Sequence, residues 1–158
     1  SLDGSNGVII NGAAAGDEAG FSVSGAGDLN NDGMADLVIG APIRGGNTGA
    51  AYVVFGRPAA GSFAAELDLS SLSARDGFMI EGVDEGDYLG WSVSSAGDLN
   101  DDGISDLVLG ANGANKAYVV FGRDGSFGSN VALSELDGTN GFVLEGAAGD
   151  QAGYSVSS

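Results

Sequence analysis

Short apolar runs, separated by stretches rich in glycine and aspartate, set the pattern of this chain. Phe21-Ser22-Val23-Ser24 alternates large and small residues. Leu37-Val38-Ile39-Gly40 and Tyr52-Val53-Val54-Phe55 are continuous and rich in β-branched residues, and Phe78-Met79-Ile80-Glu81 closes the series. Apolar runs this short, bounded by turn residues, read as strands rather than helices. The four runs return as Trp91–Ser94, Leu107–Gly110, Tyr118–Phe121 and Phe142–Glu145. Val8–Asn11 matches the fourth run, and Tyr154–Ser157 matches the first.

A four-strand unit repeated along a chain is the signature of propeller blades. The sequence therefore predicts an all-β fold of four-stranded antiparallel β-propeller blades, with two complete blades and an orphan strand at each end. Residues 1–19 carry the fourth strand of a preceding blade, 20–82 form blade one, 83–146 form blade two, and 147–158 open a following blade. Leu2–Gly7 nearly duplicates Leu136–Gly141, so the two ends of the chain occupy one phase of the repeat. The long connection Ala59–Ser73 carries Leu67, Leu69 and Leu72 and is expected to fold over its own blade; Val131–Leu136 is its counterpart. Two blades cannot close a ring that typically takes about four to eight. Each open end would leave a larger apolar face than monomers usually tolerate. The chain is thus expected to be part of a larger array or to assemble with copies of itself.

Between the first and second strands of each unit lies the same loop. Gly27-Asp28-Leu29-Asn30-Asn31-Asp32-Gly33-Met34-Ala35-Asp36 returns 70 residues later as Gly97-Asp98-Leu99-Asn100-Asp101-Asp102-Gly103-Ile104-Ser105-Asp106. Counting from the first aspartate, oxygen-bearing side chains fall at positions one, three, five and nine, and glycine at six. Alternate residues of a tight loop can face one centre, and calcium takes six to eight oxygen ligands. The candidate ligands are Asp28, Asn30, Asp32, the Met34 carbonyl and Asp36, then Asp98, Asn100, Asp102, the Ile104 carbonyl and Asp106. Two structural Ca2+ sites are the cofactor reading. An EF-hand is excluded, because position twelve is Ile39 or Leu109 within a strand rather than glutamate. Magnesium keeps more of its waters, and zinc prefers His and Cys, which are absent. The alternative is a metal-free polar hairpin, since Asp-Gly is a favoured turn pair.

Composition narrows the function classes. The 158 residues suffice for one domain with a core. The net charge is −17 with only five basic residues, which disfavours nucleic acid and anionic membrane as partners. Repulsion among the loop aspartates should couple folding to metal binding. No apolar run is long enough to span a bilayer. Without His or Cys, the commonest general base and the thiol nucleophile are missing, so the chain reads as not an enzyme. Phe21, Trp91 and Tyr154 are equivalent aromatics; their alternation with Val23, Val93 and Val156 favours core packing over stacking on a sugar. The acids Asp17, Glu18, Asp84, Glu85, Asp87 and Asp150 read as solvated, with ligand contact as the alternative.

These residues resemble the FG-GAP repeats of integrin α-subunit propellers and their bacterial relatives. The signatures are Phe55-Gly56, Phe121-Gly122 and Gly40-Ala41-Pro42; the second copy of the last departs as Gly110-Ala111-Asn112. The resemblance implies a propeller of typically seven blades, with calcium loops on one face. It implies a ligand face opposite, built here from residues 12–20, 43–49, 82–90, 111–116 and 146–153. It also implies an adhesive or structural role through protein–protein contacts, outside the cell or on its surface. A carbohydrate-binding propeller fragment is the alternative. The expected partners are other proteins or further copies of this chain, with a glycan as the alternative.

Overall fold

The computed structural model describes residues 1–58 and 63–158. It is all-β, and its sheets do not close into a ring. The strands are β1 (Ile9–Asn11), β2 (Ser22–Gly27), β3 (Asp36–Ala41), β4 (Ala50–Val54), β5 (Glu66–Asp68), β6 (Gly77–Glu81), β7 (Leu89–Gly97), β8 (Asp106–Ala111), β9 (Lys116–Val120), β10 (Asn130–Ala132) and β11 (Gly141–Glu145). Strands β2, β3, β4 and β6 form one antiparallel meander, and β7, β8, β9 and β11 form its repeat. The register repeats too: Ile39 lies opposite Tyr52, and Leu109 opposite Tyr118.

Alternation along each strand sends side chains to two faces. In the first unit Val38, Ala51, Val53, Phe78 and Ile80 point toward the second unit. Leu89, Val93, Leu107, Leu109, Ala111, Tyr118 and Val120 of the second unit meet them in one continuous core. The other face of the first unit, with Ile39, Ala41, Tyr52 and Val54, packs under Ile10 of β1 and Leu67, Leu69 and Leu72 of the β4–β6 connection. One seam of apolar side chains therefore joins the two units, and a second core lies under the N-terminal segment.

The leucines of the long connections pack on their own units, as expected. Each connection also lays a three-residue strand, parallel, on a fourth strand that comes earlier in the chain. In the second unit β10 pairs with β6 of the first, with Val131 opposite Ile80. In the first unit β5 pairs with β1, with Leu67 opposite Ile10. Phe127 and Leu133 of the second connection enter the seam, and the Phe127 ring stacks on Phe78 at 4.4 Å and 9°. The outer edge of β6 would otherwise be free, and β10 satisfies its backbone groups; among the described residues β11 pairs with β9 alone. Residues 59–62 of the Ala59–Ser73 connection lie outside the described residues.

Tyr154–Ser157 is not a strand, contrary to expectation. A first strand pairs with the second strand of its own unit, and among the described residues these have no such partner. Their entry point is nonetheless in place, because Ser92 Oγ donates to the Gly153 carbonyl at 2.9 Å as Ser22 Oγ does to Gly90 at 2.8 Å. These contacts account for the glycines of the Gly-Ala signature. A side chain on Gly40 would collide with the Gly90 carbonyl oxygen, and one on Gly110 with that of Gly153.

Across β9 and β11, Lys116 Nζ lies 3.1 Å from Glu145 Oε1, with the glutamate side chain 67% exposed. Solvent screens such a pair, so Lys116→Ala is expected to change stability by about 0.5 kcal/mol or less in urea unfolding.

Candidate metal centre

The two candidate loops share one hydrogen-bond frame. Asp28 Oδ1 accepts the Asp32 N–H at 3.0 Å and its Oδ2 accepts that of Gly33 at 2.8 Å. Asp98 does the same with Asp102 at 3.1 Å and Gly103 at 2.8 Å. Asp32 Oδ1 accepts from Met34 N at 2.8 Å, and Asp102 Oδ1 from Ile104 N at 2.9 Å. The Asn30 amide donates to Asp32 Oδ2 at 3.0 Å, and Asn100 to Asp102 Oδ2 at 2.9 Å. Positions one, three and five are thus brought together in both copies. Each carboxylate oxygen keeps a lone pair beyond the N–H it accepts.

The local backbone explains why these residue types are needed. Gly33 and Gly103 take φ of 85° and 86°, in the left-handed region where a side chain is strained. Asn31 and Asp101 precede them at 57° and 60°, a conformation that Asn and Asp tolerate better than most residues.

The ninth-position aspartates sit apart in role. Asp36 is buried, and its two oxygens accept the N–H groups of Leu29 at 2.9 Å and Gly56 at 2.9 Å. Asp106, at 0% exposure, repeats this with Leu99 at 2.7 Å and Gly122 at 2.9 Å. Each of these carboxylates ties the start of its loop to the glycine of the Phe-Gly pair, which is why that glycine belongs to the motif. Burial pushes the Asp36 carboxyl above its ordinary range; the Gly56 and Leu29 N–H groups pull it down, and the charges of Asp32 and Asp28 push it up. Among the described residues no three acidic side chains already converge as a formed metal cage. The donor set is nonetheless oxygen only, which suits a hard cation.

Two sets of residues outside the loops differ from expectation. Of the acids expected to be solvated, Glu18, Asp84, Glu85 and Asp150 are exposed, but Asp17 and Asp87 are buried. Asp17, Asp87 and Asp150 brace their own turns by accepting backbone N–H groups: Asp17 from Ala14 at 3.0 Å, Asp87 from Asp84 at 2.8 Å, Asp150 from Ala147 at 3.0 Å. The residue after each, Glu18, Tyr88 or Gln151, has φ of 55–56°. The sequence signal was the repeated Gly-Asp or Asp-x-x-Asp spacing before an aromatic. The second set is Phe21, Trp91 and Tyr154, expected in the core. Phe21 is 48% and Tyr154 56% exposed. The rings form a ladder across the units, with centroids 4.8 Å and 6.0 Å apart. Rings tilted and this close interact favourably, so the ladder is a contact between units.

The repeats are matched among known proteins. The family model described as FG-GAP repeat matches residues 19–54 and 89–125. Integrin alpha-3 of Mus musculus is 35% identical over 103 residues, covering 62% of this chain and 9% of the relative. Integrin alpha-3 of Cricetulus griseus is 33% identical over 133 residues, 75% of this chain and 12% of the relative. Integrin alpha-5 of Xenopus laevis is 32% identical over 130 residues, 82% of this chain and 12% of the relative. The chain thus spans about a tenth of the length of these relatives.

Proposed function

The chain belongs to the FG-GAP repeat family, with integrin α-subunits among its relatives, and on that premise we propose a calcium-stabilised extracellular adhesive module that acts through protein–protein contacts. The observation that carries the calcium reading is the doubled hydrogen-bond frame, in which the same side chains hold both loops open with carboxylate lone pairs to spare. Asp28, Asn30, Asp32, Met34 and Asp36 would hold one ion, and Asp98, Asn100, Asp102, Ile104 and Asp106 the other. Bound calcium would neutralise repelling carboxylates and pin the connection between the first and second strands. The role is structural, and we assign no catalysis.

We further propose that the units are propeller blades, divided at residues 1–19, 20–82, 83–146 and 147–158, and that open blade faces join copies of the chain into an oligomer. Support comes from the second unit. Its counterparts of the seam residues are Val108, Ala117, Val119, Phe142 and Leu144, and none of them joins the seam core. Leu144 is 51% exposed there, where its equivalent Ile80 is 0% exposed. At the opposite end Val23 is 55% exposed, where its equivalent Val93 is 7% exposed. No helix among the described residues is long and apolar enough to cross a membrane.

Two measurements test the proposal. Asp32→Ala should lower the thermal midpoint in ~2 mM calcium, a level that fills extracellular-class sites, and leave it unchanged in chelator. Equal losses in both buffers would remove the metal role. Light scattering in the same calcium buffer should give a mass above that of one chain, and a monodisperse monomer would remove self-assembly.

A further inference from the structure

The two loops are equivalent in sequence and unequal in surroundings. Leu29 of the first is 0% exposed and Leu99 of the second 54%. The difference comes from the second unit, which clamps the first loop at three points. Ser105, the eighth residue of the second loop, exchanges two hydrogen bonds with Asp28, the first residue of the first loop. The Asp28 N–H donates to Ser105 Oγ at 3.3 Å, and the Ser105 N–H donates to the Asp28 carbonyl at 3.3 Å. The Arg123 N–H donates to the Leu29 carbonyl at 3.0 Å. The Asn31 amide donates to Asp124 Oδ1 at 2.6 Å. Gly27 has no room for a side chain because Ser105 fills that space, whereas the equivalent Gly97 faces open space.

Resting on the calcium reading above, we infer that the first loop is a two-unit site. Ser105 and Asp124 act as its positioning residues. A flexible anionic loop must lose conformational freedom and bring repelling carboxylates together before it can hold an ion. In the first loop the neighbouring unit has already fixed residues 28, 29 and 31, so less ordering remains. The link also runs from loop to loop, so ordering of the second loop around its ion steadies Ser105 against the first.

Calcium titration calorimetry on the whole chain tests this, with Asp102→Ala isolating the first site and Asp32→Ala the second. Added to Asp102→Ala, Asp124→Ala, on the surface and outside either ligand set, should weaken the first site about 3- to 10-fold, the range one lost hydrogen bond supplies. Added to Asp32→Ala, it should leave the second site unchanged, and alone it should leave the urea midpoint in chelator unchanged. Ser105→Ala should weaken the first site in the same direction. An unchanged first site, or equal weakening of both sites, would overturn this inference and leave the calcium reading standing. No calcium uptake by wild type would overturn both.

Discussion

Asp106→Ala is expected to lower stability by about 2–4 kcal/mol, even with every divalent cation removed. The Asp106 side chain has no solvent exposure and both of its oxygens accept backbone N–H groups, from Leu99 and Gly122. Alanine leaves both donors without a partner. An unsatisfied buried donor costs about 1–3 kcal/mol, and Gly122 is itself buried. Leu99 is exposed enough for water to replace part of its bond, which sets the lower end of the range. Asp106→Asn keeps one acceptor oxygen and should recover part of the loss. Urea unfolding with and without chelator separates the two roles of the residue. A loss seen only in calcium would mean that Asp106 serves the ion and not the backbone frame.

Gly40→Ala is expected to be comparably damaging for a purely steric reason. Its backbone is not left-handed, so alanine meets no conformational strain of its own. The added methyl would overlap the Gly90 carbonyl oxygen and the Ser22 hydroxyl, where the two units cross. A carbonyl fixed in a neighbouring strand cannot turn aside, so the units must part. Overpacking at tight sites typically costs about 1–3 kcal/mol, and the backbone contact places this one at about 3 kcal/mol. Gly25→Ala is the matched control, because nothing lies within 4 Å of a side chain there; it should stay within about 0.5 kcal/mol, the usual range for surface changes. Equal thermal midpoints for the two variants would mean that the crossing is looser than the structure shows.

The sequence made the strands and loops legible because their signals are local. Val38, Val53 and Val119 fall in strands, since β-branched runs between turns leave little else for them to do. The glycine at the sixth loop position and the paired aspartates announced the loop geometry twice. The crossover strands were not legible. Glu66-Leu67-Asp68 and Asn130-Val131-Ala132 have weak strand propensity, and their partners are set by an edge that lies about fifty residues back in the chain. Asp36 and Asp106 read as metal ligands, and nothing local showed that Gly56 and Gly122 would claim their oxygens. Phe21 and Trp91 alternate with valines as core residues do, but the ladder they form needs the neighbouring unit to be seen. What sequence misses here is the relation between units, because each repeat carries half of a contact whose other half is elsewhere.

The crossover strands also give the molecule a direction in time. Strand β10 needs β6 to dock upon, and β5 needs β1, so each unit completes itself against chain already laid down. Nothing in the first meander waits for β10 in order to pair its own four strands. A ribosome delivers the N-terminus first, and domains generally fold in that order during synthesis. The second unit therefore emerges facing a finished edge, and the β6 edge, the feature of the first meander most prone to pairing with a wrong chain, is exposed only until β10 arrives.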